Sequence, residues 1–349
     1  MFFSRKELFG LDIGSNAVKL VELRSGRSGY QLKNIGQVVL PQNSIVNKII
    51  QNHDAVAEAV SNLIDDLRIK TKNVAISISG HSVIIKKVSL PRMSEKELKE
   101  SIPWELEQYI PQSLQDVHYD YQVMPGETPE GNIDVLIVAA KKDVTNSYLS
   151  IVKEAGLNPV VVDVDVFALE NMYEINYPET DGLLALVNIG ASVTNINIIN
   201  NGVSVFTRDI TIGGNQFTDR IMSELGLGYE EAERLKFSHL AEDSSQEFKD
   251  VTREFTESIC GEIKRTLDFF SSTLWTGKVT NVLIGGGSSK VTGLKDVLAD
   301  MMDSTVDFLN PFRIVTYDKD NFDPEYIESI SPTMCVAMGL ALRKPGDRE

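Results

Sequence analysis

The chain has 349 residues, 42% of them hydrophobic and 24% charged, enough to bury the cores of about two domains. With 34 Lys and Arg against 50 Asp and Glu the net charge is −16, a surface that repels phosphate backbones and anionic lipid and so excludes nucleic-acid binding and a polybasic membrane anchor. Two cysteines, Cys260 and Cys335, make no disulfide framework, and the scattered His53, His81, His118 and His239 make no zinc site.

The first predicted elements are strands. Residues 9–14 run apolar into a turn at Gly14, residues 17–23 (AVKLVEL) alternate with period two, and residues 30–40 follow the Ser25-Gly26 and Ser28-Gly29 turns. Residues 54–67 predict a helix with Val56, Ala59, Val60, Leu63, Ile64 and Leu67 on one face. Residues 74–88 are strand-rich. Ser94 and Glu97 form a capping box that opens a helix to about Ile110, with Pro103 expected to bend it. Trp104, Tyr109 and Ile110 read as core. Strands at 119–124 and 133–140 flank a turn-rich 125–132, and a helix from Val144 stops at Gly156, a C′ glycine. Residues 78–160 read as a small inserted α+β subdomain.

The opening pattern then returns. Residues 183–190 (LLALVNIG) are a strand ending in a small-residue turn, followed by strands 194–199 and 203–212 around Asn200-Asn201-Gly202. Residues 182–207 are uncharged and long enough to cross a bilayer, but Asn188, Asn195, Asn197, Asn200 and Asn201 make that costly. Helices are expected at 215–225, 229–237 and, as one long element, 247–274. A strand at 279–284, the Gly285-Gly286-Gly287 turn, a helix over 288–302 and a last helix over 332–342 complete the chain, with a frayed tail at 344–349. The start shows no signal peptide, so the expected location is cytoplasmic, with any membrane attachment through a partner. The class is α/β. The lobes are residues 1–77 with 161–180 and 332–349, and residues 181–331.

P-loop and dinucleotide fingerprints are absent. Three glycine-bearing turns remain, each after an apolar strand, where backbone N–H groups can approach phosphate oxygens. In the first, Asp12 can hold hydrated Mg²⁺, Ser15 and Asn16 beside Gly14 can donate to phosphate, and Lys19 adds charge. The second runs from Asn188 to Thr194. The third, Gly285, Gly286, Gly287 and Ser288, opens a helix. Two of the three occupy equivalent places in the duplicated layout, which points to nucleotide binding.

The segments FGLDIGSNAVKLVEL, VDVDVFALENMY, LVNIGASVTNINII, VLIGGGSSKVTGL and PTMCVAMGLALR resemble, in order, the motifs of the actin-like ATPase superfamily, which includes actin, sugar kinases, heat-shock chaperones and FtsA. Within it the near-terminal LFGLDIGSNAVKLVEL, the inserted subdomain at 78–160, IGGNQFTDRI at 212–221 and GLALR ending at Arg343 resemble the PilM family of type IV pilus assembly. The resemblance implies an actin-like fold with ATP and Mg²⁺ between the lobes. It implies metal organisation by Asp12, phosphate contacts from Ser15, Asn16 and Lys19, and a facing clamp of Gly190, Ser192 and Thr194. Gly213 and Gly214 would line the cleft, and Glu262, Lys264 or Arg265 would hold ribose and base. Gly285 to Ser288 would pass beneath the adenosine, and Asp165 would polarise water as a catalytic carboxylate. Taken alone, Asp165 reads equally as a helix N-cap. Where most relatives have Asp, this chain has Asn188, whose amide cannot act as a base, so at most slow ATPase activity is expected. The resemblance further implies a scaffold at the cytoplasmic face of the inner membrane, supporting pilus biogenesis and twitching motility. There it would bind the N-terminal cytoplasmic tail of PilN in the PilN/PilO complex, with pilus motor ATPases as further candidate partners. The alternatives are an FtsA-like division protein, a small-molecule kinase of the superfamily, and the cytoplasmic half of a type II secretion protein.

Overall fold

The computed structural model describes residues 7–26, 29–111, 113–126, 131–179, 182–238, 244–302 and 304–346. Ser28, His239, the tip of the 125–132 turn, the lobe boundary at 180/181 and the end of the 344–349 tail lie outside the described residues.

Strands β1 (Phe9–Ile13), β2 (Ala17–Gly26) and β3 (Gly29–Val39) form an antiparallel meander. A short hairpin of β4 (Ile45–Val46) and β5 (Ile49–Ile50) follows. Helix α1 (His53–Asp66) then buries Val56, Ala59, Val60, Leu63 and Ile64, the stripe its periodicity predicts. It returns the chain to β6 (Asn73–Ile78), parallel to β1.

The inserted part is β7 (Val83–Leu90), α2 (Glu95–Glu107), β8 (Val117–Val123) and β9 (Ile133–Lys141). Its three strands pair antiparallel in the order β7-β9-β8, with a core that includes Leu98, Ile102, Leu106, Val135 and Ile137. The Ser94–Glu97 capping box is formed. Trp104 and Tyr109 depart from expectation. The buried positions of α2 recur as Leu98, Ile102 and Leu106, so Trp104 falls on the opposite face and is 73% exposed, while Tyr109 is 39% exposed. Helix α3 (Lys142–Glu154) packs Val144, Tyr148, Ile151 and Val152 into the core of the first lobe. The segment with a core of its own is therefore Val83 to Lys141, inside the range read from sequence.

Strand β10 (Asn158–Val164) lies parallel to β6, and α4 (Asp165–Asn176) leads to the second half. There β11 (Leu183–Ile189), β12 (Thr194–Asn200) and β13 (Val203–Ile210) repeat the meander. Asn201 and Gly202 take φ of 50° and 79°, the left-handed pair of a tight hairpin turn. Helices α5 (Gly214–Leu225), α6 (Tyr229–Lys236) and α7 (Gln246–Phe269) follow. The helix expected to reach Leu274 ends instead in a π-helical turn over Phe270–Leu274. Strand β14 (Asn281–Gly285) is parallel to β11, and α8 (Leu294–Met302), β15 (Thr305–Phe308), α9 (Pro324–Ile330) and α10 (Cys335–Ala341) complete the chain. The helix expected from Ser288 begins only at Leu294. Ser288 and Ser289 turn their hydroxyls onto the Gly190 and Gly286 carbonyls, which winds Gly287–Lys290 as a 3-10 turn, and Gly293 then takes φ of 80°.

The two five-stranded sheets have the same order, β3-β2-β1-β6-β10 and β13-β12-β11-β14-β15. The duplication read from the motifs is thus present strand for strand. Helices α4 and α10 cross between the lobes in close contact: a Cβ on Gly339 would overlap the Ala168 carbonyl, so only glycine allows this approach.

Candidate functional site

A cleft opens where the strand-end turns of the two sheets face each other. In the first turn, Asp12 ends β1 and stands opposite Lys19 on β2. Cross-strand partners share a face, and the two side chains form an ion pair at 2.9 Å. Gly14 closes the turn with its N–H on the Ala17 carbonyl at 3.1 Å. The Ser15 hydroxyl is buried and lacks a hydrogen-bond partner among the described residues, yet Ser15 lines the cleft. An orphaned buried hydroxyl is uncommon in native proteins, and this one belongs to a residue of the cleft wall. Asn16 reaches the other lobe, donating from Nδ2 to Tyr229 Oη at 3.3 Å and to Glu233 at 3.5 Å.

The second turn repeats the geometry. Gly190 N–H bonds the Val193 carbonyl at 3.0 Å, and Asn188 faces Asn195 as Asp12 faces Lys19, donating to its Oδ1 at 3.1 Å. Asn195 passes the contact to Asp209 at 2.7 Å, and Asp209 accepts the Gly80 N–H of the first lobe at 2.7 Å. Burial raises the Asp209 pKa, opposed by these two donors. The third turn lies against the second. Gly286 has φ of 85°, a Cβ there would collide with the Ile189 carbonyl, and Ser288 Oγ donates to the Gly190 carbonyl at 2.9 Å. Above Gly287 the space is open.

Asp165 sits at the floor, 2% exposed. Ser77 Oγ donates to its Oδ1 at 2.7 Å, while Ser79 Oγ and Lys48 Nζ donate to its Oδ2 at 2.6 and 2.7 Å. Burial alone would raise its pKa. The Lys48 charge and these hydrogen bonds win and hold it below the ordinary carboxylate range. Its side chain therefore holds Lys48 rather than capping α4, whose N-cap, Val164, makes no side-chain cap bond. A carboxylate so fully engaged is a weak base.

Of the residues expected here, Asp12, Gly14, Ser15, Asn16, Lys19, Asp165, Asn188, Gly190, Ser192, Gly286, Gly287 and Ser288 line the cleft together. Others stand one layer back. Thr194 is buried with its hydroxyl on the Ile212 carbonyl at 2.8 Å. Gly213 and Gly214 press against the second turn and Ser288, and Gly285 against Leu309 and Cys335. Glu262, Lys264 and Arg265 are not brought to the cleft. Helix α7 turns Ile259, Ile263 and Leu267 inward, and on its outer face Arg265 pairs with Glu262 and Lys264 with Asp268. In place of α7, helix α6 and the residue after it reach the cleft, through Glu233, Lys236 and Phe237, none of which was singled out from sequence. Lys236 is 4% exposed and bonds Thr218 Oγ1 at 2.9 Å and the Glu233 carboxylate. Burial lowers its pKa against the pull of Glu233. Lys48 is a further cleft residue the sequence did not announce.

The residues fit the phosphates of a nucleotide: an orphaned hydroxyl in the cleft wall, glycine-bearing turns with open space above Gly287, and Lys19 and Lys48 near Asp12. They fit Mg²⁺ more narrowly. Mg²⁺ is commonly held by one or two carboxylates plus phosphate oxygens. Asp12 offers one carboxylate, already engaged by Lys19, and Asp165 is saturated. Among the described residues no group of three or more His, Cys, Asp or Glu could hold a metal.

A family model described as type IV pilus assembly protein PilM matches residues 10–345. A solved structure described as the PilM–PilN type IV pilus biogenesis complex is similar with a TM-score of 0.88 at 29% identity, over 97% of this chain and 98% of that one. The cell division protein FtsA of Bacillus subtilis (strain 168) is 23% identical over 290 residues, 76% of this chain and 64% of FtsA, so the chain spans less than two thirds of that relative. MreB5 of Spiroplasma citri, solved bound to ADP, is similar with a TM-score of 0.51 at 13% identity, over 95% and 94% of the two chains. The fold is the actin-like one.

Proposed function

The chain belongs to the PilM family of type IV pilus assembly proteins, and from that membership we propose that it is an ATP-binding scaffold of the inner-membrane assembly complex that takes the N-terminal tail of PilN. The observation that carries this reading is the 0.88 TM-score to a protein solved in complex with PilN. No helix among the described residues is long and apolar enough to cross a membrane, and the charge of −16 disfavours anionic lipid. PilN supplies the attachment at the cytoplasmic face, in support of pilus biogenesis and twitching motility.

ATP binds between the lobes. Its phosphates contact turns from both sheets; Asp12, now paired with Lys19, is the carboxylate that would hold Mg²⁺, and Glu233 and Lys236 take the nucleoside end. A ligand that touches both lobes stabilises the arrangement in which both contacts exist. The nucleotide thus acts as a conformational brace, and turnover is slow because Asn188 is uncharged and Asp165 is saturated. The inserted subdomain and its seam with the first lobe form the tail-binding part, since seams between domains favour ligands. Its excision is designed from the structure: Val83 and Ala140 are paired neighbours, so residues 84–139 can be replaced by a short turn while α3 stays in the lobe core.

Two measurements test this reading. The tagged chain is incubated with detergent-solubilised inner membranes; PilN is retained, and the chain lacking 84–139 loses it. Failure of the intact chain to retain PilN removes the scaffold assignment. Saturating MgATP raises stability by about 2.7 kcal/mol at a hundredfold excess over Kd, and Asp12→Ala reduces the shift. An equal shift in the variant displaces the site.

A further inference from the structure

Strands β4 and β5 pair Val46 with Ile49, so Asn47 and Lys48 form a two-residue turn with φ of 49° and 66°. Such turns favour Asn followed by Gly, and a long side chain enters the left-handed region only under constraint. Lys48 occupies the glycine position and is held there. Its carbonyl accepts Tyr148 Oη at 3.1 Å, and its ammonium bonds Asp165 at 2.7 Å with the side chain only 13% exposed. Turn geometry does not ask for lysine at this place. The cleft does.

We infer that Lys48 is a phosphate-directed cation of the cleft, a built-in charge that lets the site bind a nucleoside triphosphate with only weak dependence on a divalent metal. This rests on the nucleotide reading above. Lys48 lines the cleft with Lys19, Gly14, Asn188 and Gly190. An ammonium has three N–H donors, and Lys48 gives one to Asp165. Burial alone would push its proton off, but the Asp165 and Asp12 carboxylates more than offset this and keep it charged. The phosphate end therefore carries two carboxylates, each matched by a lysine, while Asn188 adds no negative charge that a metal must neutralise. An arriving polyphosphate finds two ammonium groups already in place. In a site of low dielectric these count for more than in water.

Calorimetry with the β,γ-imido analogue of ATP and with AMP, in Mg²⁺ and in EDTA, tests this on the full chain. In wild type, triphosphate affinity in EDTA stays within about threefold of that in Mg²⁺. Lys48→Met/Asp165→Asn removes the pair without leaving an uncompensated buried charge, and loses about tenfold or more in EDTA, as expected for a lost charge-assisted contact. Its AMP affinity falls by less than its triphosphate affinity, cooperative urea unfolding reports an intact fold, and Lys48→Arg retains metal-free binding. Triphosphate binding that EDTA abolishes in wild type, or that the double variant keeps in EDTA, overturns the inference and leaves the nucleotide reading standing. No binding of either nucleotide to wild type in either condition overturns both.

Discussion

Replacing Lys48 by Met strands a buried carboxylate. Asp165 has a side chain 3% exposed and would be left with two neutral donors, Ser77 and Ser79. Removing one partner of a buried ion pair costs about 3–5 kcal/mol, because the remaining charge has neither water nor a counterion. The reverse change is gentler. Asp165→Asn leaves Lys48 at 13% exposure and still within the field of Asp12, and the new amide oxygen can accept a serine hydroxyl. A cost of about 1–3 kcal/mol is expected. The double variant is then much more stable than the sum of the single changes implies, with a coupling energy of at least about 1 kcal/mol. The pH dependence has a definite sign. Asp165 has a lowered pKa, so its favourable contribution is present above the unfolded value and lost as pH falls through the folded one. Lys48 has a raised pKa, so its contribution is present below the unfolded value and lost only as pH rises through the folded one. In wild type the pair is intact across neutral pH. In Lys48→Met, uncompensated burial raises the Asp165 pKa, and protonation relieves the penalty, which shrinks from pH 8 to pH 5. Urea denaturation of the four proteins at both pH values decides it. A Lys48→Met penalty below about 1 kcal/mol that adds to that of Asp165→Asn would refute the argument.

Three further outcomes follow from other parts of the molecule. Gly339→Ala places a Cβ against the Ala168 carbonyl, forcing α4 and α10 apart at a cost of about 2–4 kcal/mol by thermal or urea unfolding; an unchanged stability would show that the helices are not in backbone contact. Glu170 on α4 accepts from Asn197 and the Ser204 N–H, and burial first, then Glu174 and Asp163, push its pKa up to about 7 against the pull of those donors. Its folded form binds a proton more readily than its unfolded one, so it costs stability as pH rises from about 4.5 to about 7. Glu170→Gln should accordingly be more stable than wild type by about 1–2 kcal/mol at pH 8 and equal to it at pH 4, and an equal difference at both values would exclude Glu170 as the cause. Asn188→Asp restores a carboxylate facing the cleft and should raise steady-state phosphate release with little change in ATP affinity. Turnover that stays the same would mean that Asn188 does not limit hydrolysis.

Much of the architecture was legible because it is written locally. An apolar strand, a small-residue turn and a second alternating strand appear twice, and the two sheets close in the same order around them. The residues of the first turn were within reach of the sequence, since Asp12 and Lys19 are cross-strand partners only seven positions apart, although their ion pair was not read from it. Lys48 was not readable. It lies in a short polar loop, and what makes it a cleft residue is Asp165, 117 positions later. Glu233 and Lys236 look like an ordinary wet pair at i,i+3 spacing, and only the packing of α6 buries the lysine. Glu262 and Arg265 have the same spacing and are the solvated pair that α6 resembled. Trp104 was misplaced although α2 held the signal: Leu98, Ile102 and Leu106 define a stripe it does not share.

The proposed function has this chain held at the membrane by the N-terminal tail of PilN. Titration calorimetry of that synthetic tail peptide into the intact protein tests it most directly. Backbone pairing along an edge or groove, with a few apolar anchors and attraction of any Lys or Arg in the tail to a chain of net charge −16, predicts a Kd of about 1 µM or tighter. It also predicts modest weakening as salt is raised. Heat signals indistinguishable from dilution at peptide concentrations of about 1 mM would contradict the account.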